Sequence, residues 1–231
     1  MSGDSKPVSS SQQSCHPQLG RLVHKHLQHP TRRPPAAHTL AAFEQITARV
    51  EQDKRPLIFD SFCGTGMSTG LIAARHPDCL VIGIDKSDHR LHRHQPSAEA
   101  DYLLVRAECG DFWRLAVTAG WRLQRHYLLY PNPWPKATQL KRRVHGSADL
   151  PALLALGGEI ELRSNWQVYV EEFGSALFQA GEFPVIDAYE AEQALSLFEG
   201  KYLKSGHGLW RCRCKLVHNT PPESSREIVA R

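Results

Sequence analysis

The sequence predicts one α/β domain built on a mostly parallel, doubly wound sheet with helices on both faces. Four short runs are almost wholly apolar, which is typical of strands that are covered on both faces. These runs are Leu57–Phe59, Leu80–Ile84, Tyr102–Val105 and Tyr127–Tyr130. Helix-like segments separate them, and such alternation indicates right-handed βαβ units with parallel strands.

The composition supports a soluble domain of ordinary size. The chain has 231 residues, of which 41% are hydrophobic and 23% charged, enough for one sizeable core. We see no apolar run near the roughly 20 residues of a bilayer-spanning helix, and no apolar signal-peptide core. We therefore expect a cytoplasmic protein without a membrane partner. The six cysteines show no C-x-x-C spacing, so we expect no metal site.

The predicted domain lies between two tails. Residues 1–36 are rich in Ser, Gln, His and Pro with scattered Arg and Lys, which predicts a flexible basic N-terminal arm. A solvated tail without a role remains the alternative there. The domain itself spans 37–217, and 218–231 are expected to form a C-terminal tail. Net charge is only +4, so an anionic partner has to be inferred from where the cations cluster.

The elements of the domain follow in order from apolar spacing. A first helix is predicted over 37–53, because Leu40, Phe43, Ile46 and Val50 recur at helical intervals. The helix-like segments between the apolar runs are Ser68–Arg75, Ser87–His94 and Asp111–Gly120. The second half adds a helix near 147–156, a strand near Glu159–Leu162, a helix around 166–180 and a strand over Leu209–Val217.

A first candidate site follows the first three strands. Gly64 and Gly66 form a turn between a strand and a helix, where backbone N–H groups are free and a ligand can approach closely. Asp60 and Asp85 end the first two strands, and acidic residues in such positions bind ribose hydroxyls. Glu108, after the third strand, is placed to accept a hydrogen bond from an adenine amino group.

The chemistry of this set favours a cofactor without phosphates. The glycines at 64, 66 and 70 do not have the usual dinucleotide spacing, and Asp60 would repel a pyrophosphate. S-adenosylmethionine fits better, because its sulfonium and ammonium groups suit the carboxylate. N-capping and turn formation could explain Asp60 or Asp85 taken alone, but they do not explain why both occur in order with the glycine turn and Glu108.

A second candidate site follows the fourth strand. Asn132 would face the methyl group of the cofactor, and Trp134 offers a stacking face for a base. Cations follow directly and could contact phosphates at the rim. They are Lys136, Lys141, Arg142 and Arg143.

Several ordered motifs resemble the tRNA (guanine-N7-)-methyltransferase family, over most of residues 55–217. The stretch 60–66 resembles the acidic-then-glycine loop of the family, and Pro131–Lys136 followed by Lys141–Arg143 resembles its Pro-Asp-Pro-Trp-x-Lys and Lys-Arg-Arg blocks. Further similar segments are Ser164-Asn165-Trp166 with Tyr169, Ser196–Glu199 and Gly206–Trp210.

The resemblance implies a Rossmann-like class I methyltransferase fold and assigns roles to residues. Asp60, Gly64, Gly66, Asp85, Glu108 and Asn132 would bind S-adenosylmethionine, with Asn132 also catalytic. The substrate RNA would be held by Trp134, Lys136, Lys141, Arg142, Arg143, Asn165, Ser196, Phe198 and Glu199.

Two departures from the family pattern concern base recognition. Asn132 and Asn165 stand where the pattern has aspartate, and an amide offers donors as well as an acceptor. The family resemblance as a whole implies methylation of a base in RNA, first of all guanine N7 of tRNA. Methylation of another base or of an exocyclic amine by the Asn-Pro-Trp corner is the alternative, as is a non-catalytic RNA-binding paralogue. The sequence leaves the oligomeric state open.

Overall fold

The computed structural model describes residues 5–96 and 100–217, so the predicted tail 218–231 lies outside the described residues. A single sheet of seven strands runs in the order β3-β2-β1-β4-β5-β7-β6. The strands are β1 (Leu57–Ser61), β2 (Leu80–Asp85), β3 (Tyr102–Arg106), β4 (Leu123–Leu129), β5 (Gly158–Ser164), β6 (Val185–Ala188) and β7 (Trp210–Leu216). In the described ranges no helix is both long and apolar enough to cross a membrane.

The order of the strands makes this a doubly wound sheet. Strands β1 to β5 are parallel, and the chain runs outward from β1 to β3 before it returns to β4 on the other side of β1. Ligands of such sheets bind outside the carboxyl ends of the strands, where the winding direction reverses. The α/β Rossmann-like fold expected from the sequence is confirmed.

Helices cover both faces of the central strands. They are α1 (Leu19–Gln28), α2 (Ala37–Gln52), α3 (Met67–Arg75), α4 (Asp88–Leu91), α5 (Cys109–Thr118), α6 (Leu150–Ala155), α7 (Gln167–Gln179) and α8 (Leu197–Lys204). Because successive side chains of a strand point to opposite faces, Phe59 and Ile58 of β1 enter different cores. Phe59 packs with Phe112 of α5 at 5.5 Å between ring centroids, and Ile58 packs in the cluster that contains Ile72 of α3.

The N-terminal segment differs from the flexible arm that its composition predicted. Residues 19–28 form α1, whose Leu19 and Val23 are buried in the main core. Its apolar residues stand four apart and so share one face of the helix, but the many His, Gln and Pro residues around them obscure that period. The prediction of a flexible arm is therefore wrong for residues 19–28, which are part of the folded domain.

The edge of the sheet that β7 and β6 form was only partly predicted. Strand β7 runs antiparallel to both β5 and β6, and neither β6 nor α8 was expected from the sequence. The stretch of β6 contains only four residues, and Val185 and Ile186 are exposed, so it lacks the continuous apolar run of a buried strand. Because β7 is antiparallel to both of its neighbours, β6 runs in the same direction as β4 and β5, so α8, which follows β6, begins at the carboxyl edge of the sheet.

Candidate active site

One cleft of about 600 Å³ opens at the carboxyl ends of the parallel strands. Residues of both candidate sites line it together, because β1, β2 and β4 are neighbours in the sheet. Of the residues named from the sequence, those in its wall are Asp85, Glu108, Asn132, Trp134, Lys141, Arg142 and Phe198. The two candidate sites therefore form a single crevice.

Asp85, at the end of β2, is the acidic residue in the floor of this cleft. Its side chain is nearly buried, and it accepts hydrogen bonds from the backbone N–H of Gly64 at 3.0 Å and of Ser87 at 2.8 Å. Arg90 adds an ion pair at 3.4 Å. A carboxylate has about four lone-pair positions, so one remains for a hydroxyl of a ligand.

Asp60 does not line the cleft, contrary to the expectation from the sequence. Its side chain is 0% exposed, and Oδ2 accepts hydrogen bonds from the hydroxyls of Ser68 at 2.6 Å and Thr69 at 2.7 Å. Burial raises the pKa of Asp60 to about 6, against those two hydrogen bonds. Ser68 and Thr69 lie in the first turn of α3. Asp60 thus fixes the glycine turn from beneath, and its Oδ1 has no hydrogen-bond partner among the described residues.

Three aromatic residues of the cleft wall have a backbone conformation that L-residues rarely adopt. Phe62, Tyr130 and Trp134 have φ values of 65°, 55° and 47°, and among the described residues other than glycine they alone are positive. Such conformations cost free energy and persist where the surrounding structure enforces them, often at functional sites. No sequence signal marks them, since glycine and asparagine are the residues expected there.

The corner after β4 presents an amide and an indole to the cleft. Asn132 is exposed, and its Oδ1 lies 3.4 Å from the backbone nitrogen of Trp134. The guanidinium of Arg142 lies over the ring of Trp134, 4.8 Å from its centroid. Lys141 and Arg142 are both exposed at the rim, where a phosphate could reach them.

Arg143 was expected to contact RNA, and the structure contradicts this. Its side chain is 0% exposed and forms an ion pair with the equally buried Glu172. It also donates to the carbonyl oxygen of Trp134 at 3.2 Å and lies over the ring of Trp166 at 5.0 Å. Arg143 therefore holds the loop that carries Trp134, and of the three cations Lys141–Arg143 it is the first two that face solvent.

The remaining substrate candidates lie outside the lining of the cleft. Lys136 is exposed beyond it, and Asn165 is half-buried beside His207, which it contacts at 3.0 Å. Ser196 caps α8 by accepting a hydrogen bond from the backbone N–H of Glu199 at 3.1 Å. Phe198, by contrast, is exposed and lies in the wall.

Glu199 was named as a substrate contact but is buried in a polar network. Burial alone would raise its pKa, yet hydrogen bonds from Tyr189, the Leu195 backbone and Arg163 lower it. Tyr130 of the cleft wall also donates to Glu199, at 2.9 Å. Glu199 therefore anchors Tyr130 and α8 rather than facing the cleft.

The family of the chain is shown by its sequence. Residues 54–212 match a family model described as "Putative methyltransferase", which is more than half of the chain. The chain belongs to this methyltransferase family.

Curated relatives and solved structures agree with this membership. The tRNA (guanine-N(7)-)-methyltransferase of Sodalis glossinidius is 28% identical over 167 residues, covering 67% of this chain and 70% of that protein. That of Alkaliphilus oremlandii is 25% identical over 177 residues, covering 71% and 83%. The 16S rRNA methyltransferase KamB has the same fold, with a TM-score of 0.57, 17% identity and coverage of 80% and 95%.

S-adenosylmethionine is the methyl donor of this methyltransferase, and the residues of the cleft fit it. The space over Gly64 is open, and its φ of 63° suits glycine. Asp85 and Glu108 supply acceptors for hydroxyl and amino groups, while Phe62 and Trp113 supply apolar walls. The indole of Trp113 is held by a hydrogen bond to the Ser61 hydroxyl at 2.9 Å.

Arg33 and Trp113 are among the residues of the methyltransferase cleft that were not predicted from the sequence. Arg33 reaches the rim from the N-terminal segment, where it donates to Asp111 at 2.8 Å. Trp113 lies on α5, and a tryptophan in a helix ordinarily belongs to the core. Only the packing of the N-terminal segment and α5 around the strand ends brings both residues to the cleft.

Proposed function

We propose that this methyltransferase methylates N7 of a guanine in tRNA. The observation that carries the proposal is the shared cleft. Asp85 and Glu108 occupy one side, Asn132 and Trp134 the other, and Lys141 and Arg142 stand at the rim. A nucleoside cofactor and a base with its phosphates fit such a distribution of charge. The tRNA (guanine-N(7)-)-methyltransferase relatives support the choice of RNA and of atom.

Methylation at N7 requires little acid–base catalysis from the protein. S-adenosylmethionine supplies an electrophilic methyl group, and guanine N7 has a lone pair without a proton. The chain therefore needs to align the two rather than to abstract a proton, and alignment alone lowers a barrier substantially. Nothing in this scheme requires a carboxylate at position 132, where an amide is present.

Trp134 and Arg142 hold the base and its backbone in this scheme. An indole face stacks on a base, and such stacking contributes about 1–3 kcal/mol for each base. The guanidinium of Arg142 lies 4.8 Å from the centroid of the indole ring, so it restrains the ring on which the base stacks. Lys141 beside it adds a second phosphate contact.

The N-terminal helix extends the cationic rim. Arg21 and Lys25 are exposed on α1. Burial and then Lys25 lower the pKa of His26 on that helix, and Lys141 lies close enough to add to the lowering. We include this face of α1 in the surface that binds the RNA backbone. Charges of this kind steer and hold RNA without reading its sequence.

Analysis of methylated nucleosides tests the proposal. The protein is incubated with unmodified tRNA and labelled S-adenosylmethionine, and the RNA is digested for mass spectrometry. We expect 7-methylguanosine. A methylated exocyclic amine would overturn the choice of atom and favour the amine chemistry of the Asn-Pro-Trp corner. Absence of any methylated nucleoside, with the cofactor bound, would overturn catalysis and favour a protein that only binds RNA.

A further inference from the structure

Asn165 follows the carboxyl end of β5, next to the Asn-Pro-Trp corner (Asn132–Trp134) that follows β4, its neighbour in the sheet. Strands β4 and β5 are parallel with Leu129 opposite Arg163, and the backbone N–H of Tyr130 donates to the Arg163 carbonyl at 2.9 Å. Residues that follow β5 therefore emerge beside those that follow β4. Asn165 is two residues past Arg163, beside the stretch that leads to Asn132, so it lies at the same edge of the sheet as the cleft but outside its lining.

Two hydrogen bonds through His207 fix which way the Asn165 amide points. Nε2 of His207 lies 3.0 Å from the carbonyl oxygen of Ser5. A carbonyl oxygen only accepts, so Nε2 carries a proton. In the neutral imidazole Nδ1 is then an acceptor, and it lies 3.0 Å from Nδ2 of Asn165. The side of Asn165 that faces His207 must therefore be its NH2 group, which leaves Oδ1 on the opposite side.

The imidazole is itself held in place by its neighbours. Its ring stacks on Tyr202 with centroids 5.2 Å apart and an interplanar angle of 17°. Tyr202 in turn packs against Tyr130 of the cleft wall at 5.3 Å. Ser5, which accepts from His207, donates its own backbone N–H to the Ser205 hydroxyl at 3.3 Å. The orientation of the amide is thus set by a rigid group rather than by solvent.

We infer that His207 is a positioning residue that makes Asn165 present an oxygen acceptor, and not an NH2 donor, to an N–H group on the edge of the substrate base. This inference rests on the proposed function, because it takes the group beside the Asn-Pro-Trp corner to be a base. An asparagine amide held in this way acts toward the base as one oxygen of a carboxylate does. A rotated amide would oppose two donors and leave the base N–H without its partner.

The phenylalanine variant His207→Phe tests the inference, since it keeps an aromatic ring against Tyr202 but removes the acceptor. The Asn165 amide is then free to turn, and we expect kcat/KM for tRNA methylation to fall about tenfold, the effect of one hydrogen bond lost between substrate and site. Circular dichroism and thermal unfolding of the same protein show whether it is folded.

Rescue distinguishes orientation from mere structural support. Both oxygens of a carboxylate accept hydrogen bonds, so Asn165→Asp needs no orienting partner. We expect the double variant His207→Phe with Asn165→Asp to recover to within about threefold of the wild-type kcat/KM. The matched control, His207→Phe with Asn165→Ala, is expected not to recover. An unchanged kcat/KM in His207→Phe, or no recovery in the double variant, would overturn the inference.

Nitrogen NMR of the unmodified protein gives a second measurement that needs neither a variant nor activity. Long-range proton–nitrogen spectra of labelled protein distinguish the two imidazole tautomers. We expect His207 to be protonated at Nε2 and unprotonated at Nδ1. The opposite tautomer would overturn the positioning role even if tRNA is methylated. The expected tautomer in a protein that methylates no RNA would leave the orientation intact and refute only the proposed function.

Discussion

The guanidinium of Arg143 and the carboxylate of Glu172 form an ion pair in which neither side chain is exposed to solvent. His145 donates to the same carboxylate at 2.9 Å, and Gln12 donates to its other oxygen at 2.7 Å. Burial alone would raise the pKa of Glu172, but hydrogen bonds from His145, His16 and Arg143 lower it to about 2. The pair thereby ties the N-terminal segment and α7 to the loop that carries Trp134.

Neighbouring arginines with opposite environments are expected to respond differently to replacement by alanine. Arg142→Ala removes an exposed cation at the rim, so RNA binding should weaken and its logarithmic salt slope should fall by about one. Its effect on the free energy of unfolding should stay within about 0.5 kcal/mol. Filter binding at several salt concentrations measures the slope, and an unaltered slope would place the RNA elsewhere.

Arg143→Ala serves as the matched comparison and is expected to act on stability. Loss of the guanidinium leaves the carboxylate of Glu172 buried without its main partner, which should cost about 3–5 kcal/mol in urea unfolding. A variant as stable as the wild type, with weaker RNA binding and a smaller salt slope, would show instead that Arg143 contacts RNA.

Replacement of Asp85 should act on the cofactor. Asp85→Ala removes the acceptor at the floor of the cleft and releases the backbone N–H groups of Gly64 and Ser87. We expect binding of S-adenosylmethionine in calorimetry to weaken tenfold or more, about 1.4 kcal/mol. Asp88→Ala, an exposed acid on α4, is the control and should bind as the wild type does. Equal affinities for all three proteins would reject this cleft as the cofactor site.

The raised pKa of Asp60 predicts a pH dependence of stability. Its pKa is about 6 in the folded protein against an ordinary value of 3.8, so folding favours the protonated carboxyl. The contribution is present below the ordinary value and is lost as pH rises through 6. Between about pH 5 and pH 7 the wild type should lose about 1 kcal/mol of unfolding free energy relative to Asp60→Asn. Parallel pH profiles of the two proteins in urea unfolding would contradict the assignment.

Helix α1 is expected to contribute to the stability of the fold. Leu19 is buried in the main core, so Leu19→Ala should lower the free energy of unfolding by about 2–5 kcal/mol. Leu40→Ala makes the same change at a position on α2 that is 39% exposed, and its effect should be well under half as large. If both variants lost a similarly small free energy of unfolding, the N-terminal segment would instead be the flexible arm that its composition suggests.

The sequence by itself determined the architecture of the central sheet. Apolar runs at β1, β2 and β4 report burial on both faces, and that signal is local because each run needs only its own side chains to show it. The same runs end in Asp85 and in the Pro131–Trp134 corner. Both were expected at one edge of the sheet, and both line one cleft.

The tertiary structure alone decided which polar residues face the cleft. Asp60, Arg143 and Glu199 look like ligand contacts in the sequence, yet all three are buried. Asp60 is held by two hydroxyls of the next helix, whereas Arg143 and Glu199 are held by partners from other parts of the chain. A charged residue has the same local sequence whether it meets solvent or a buried partner such as Glu172, which lies 29 positions away. Long-range pairing is therefore invisible to periodicity and spacing, and the fold had to bring the partners together before their roles could be assigned.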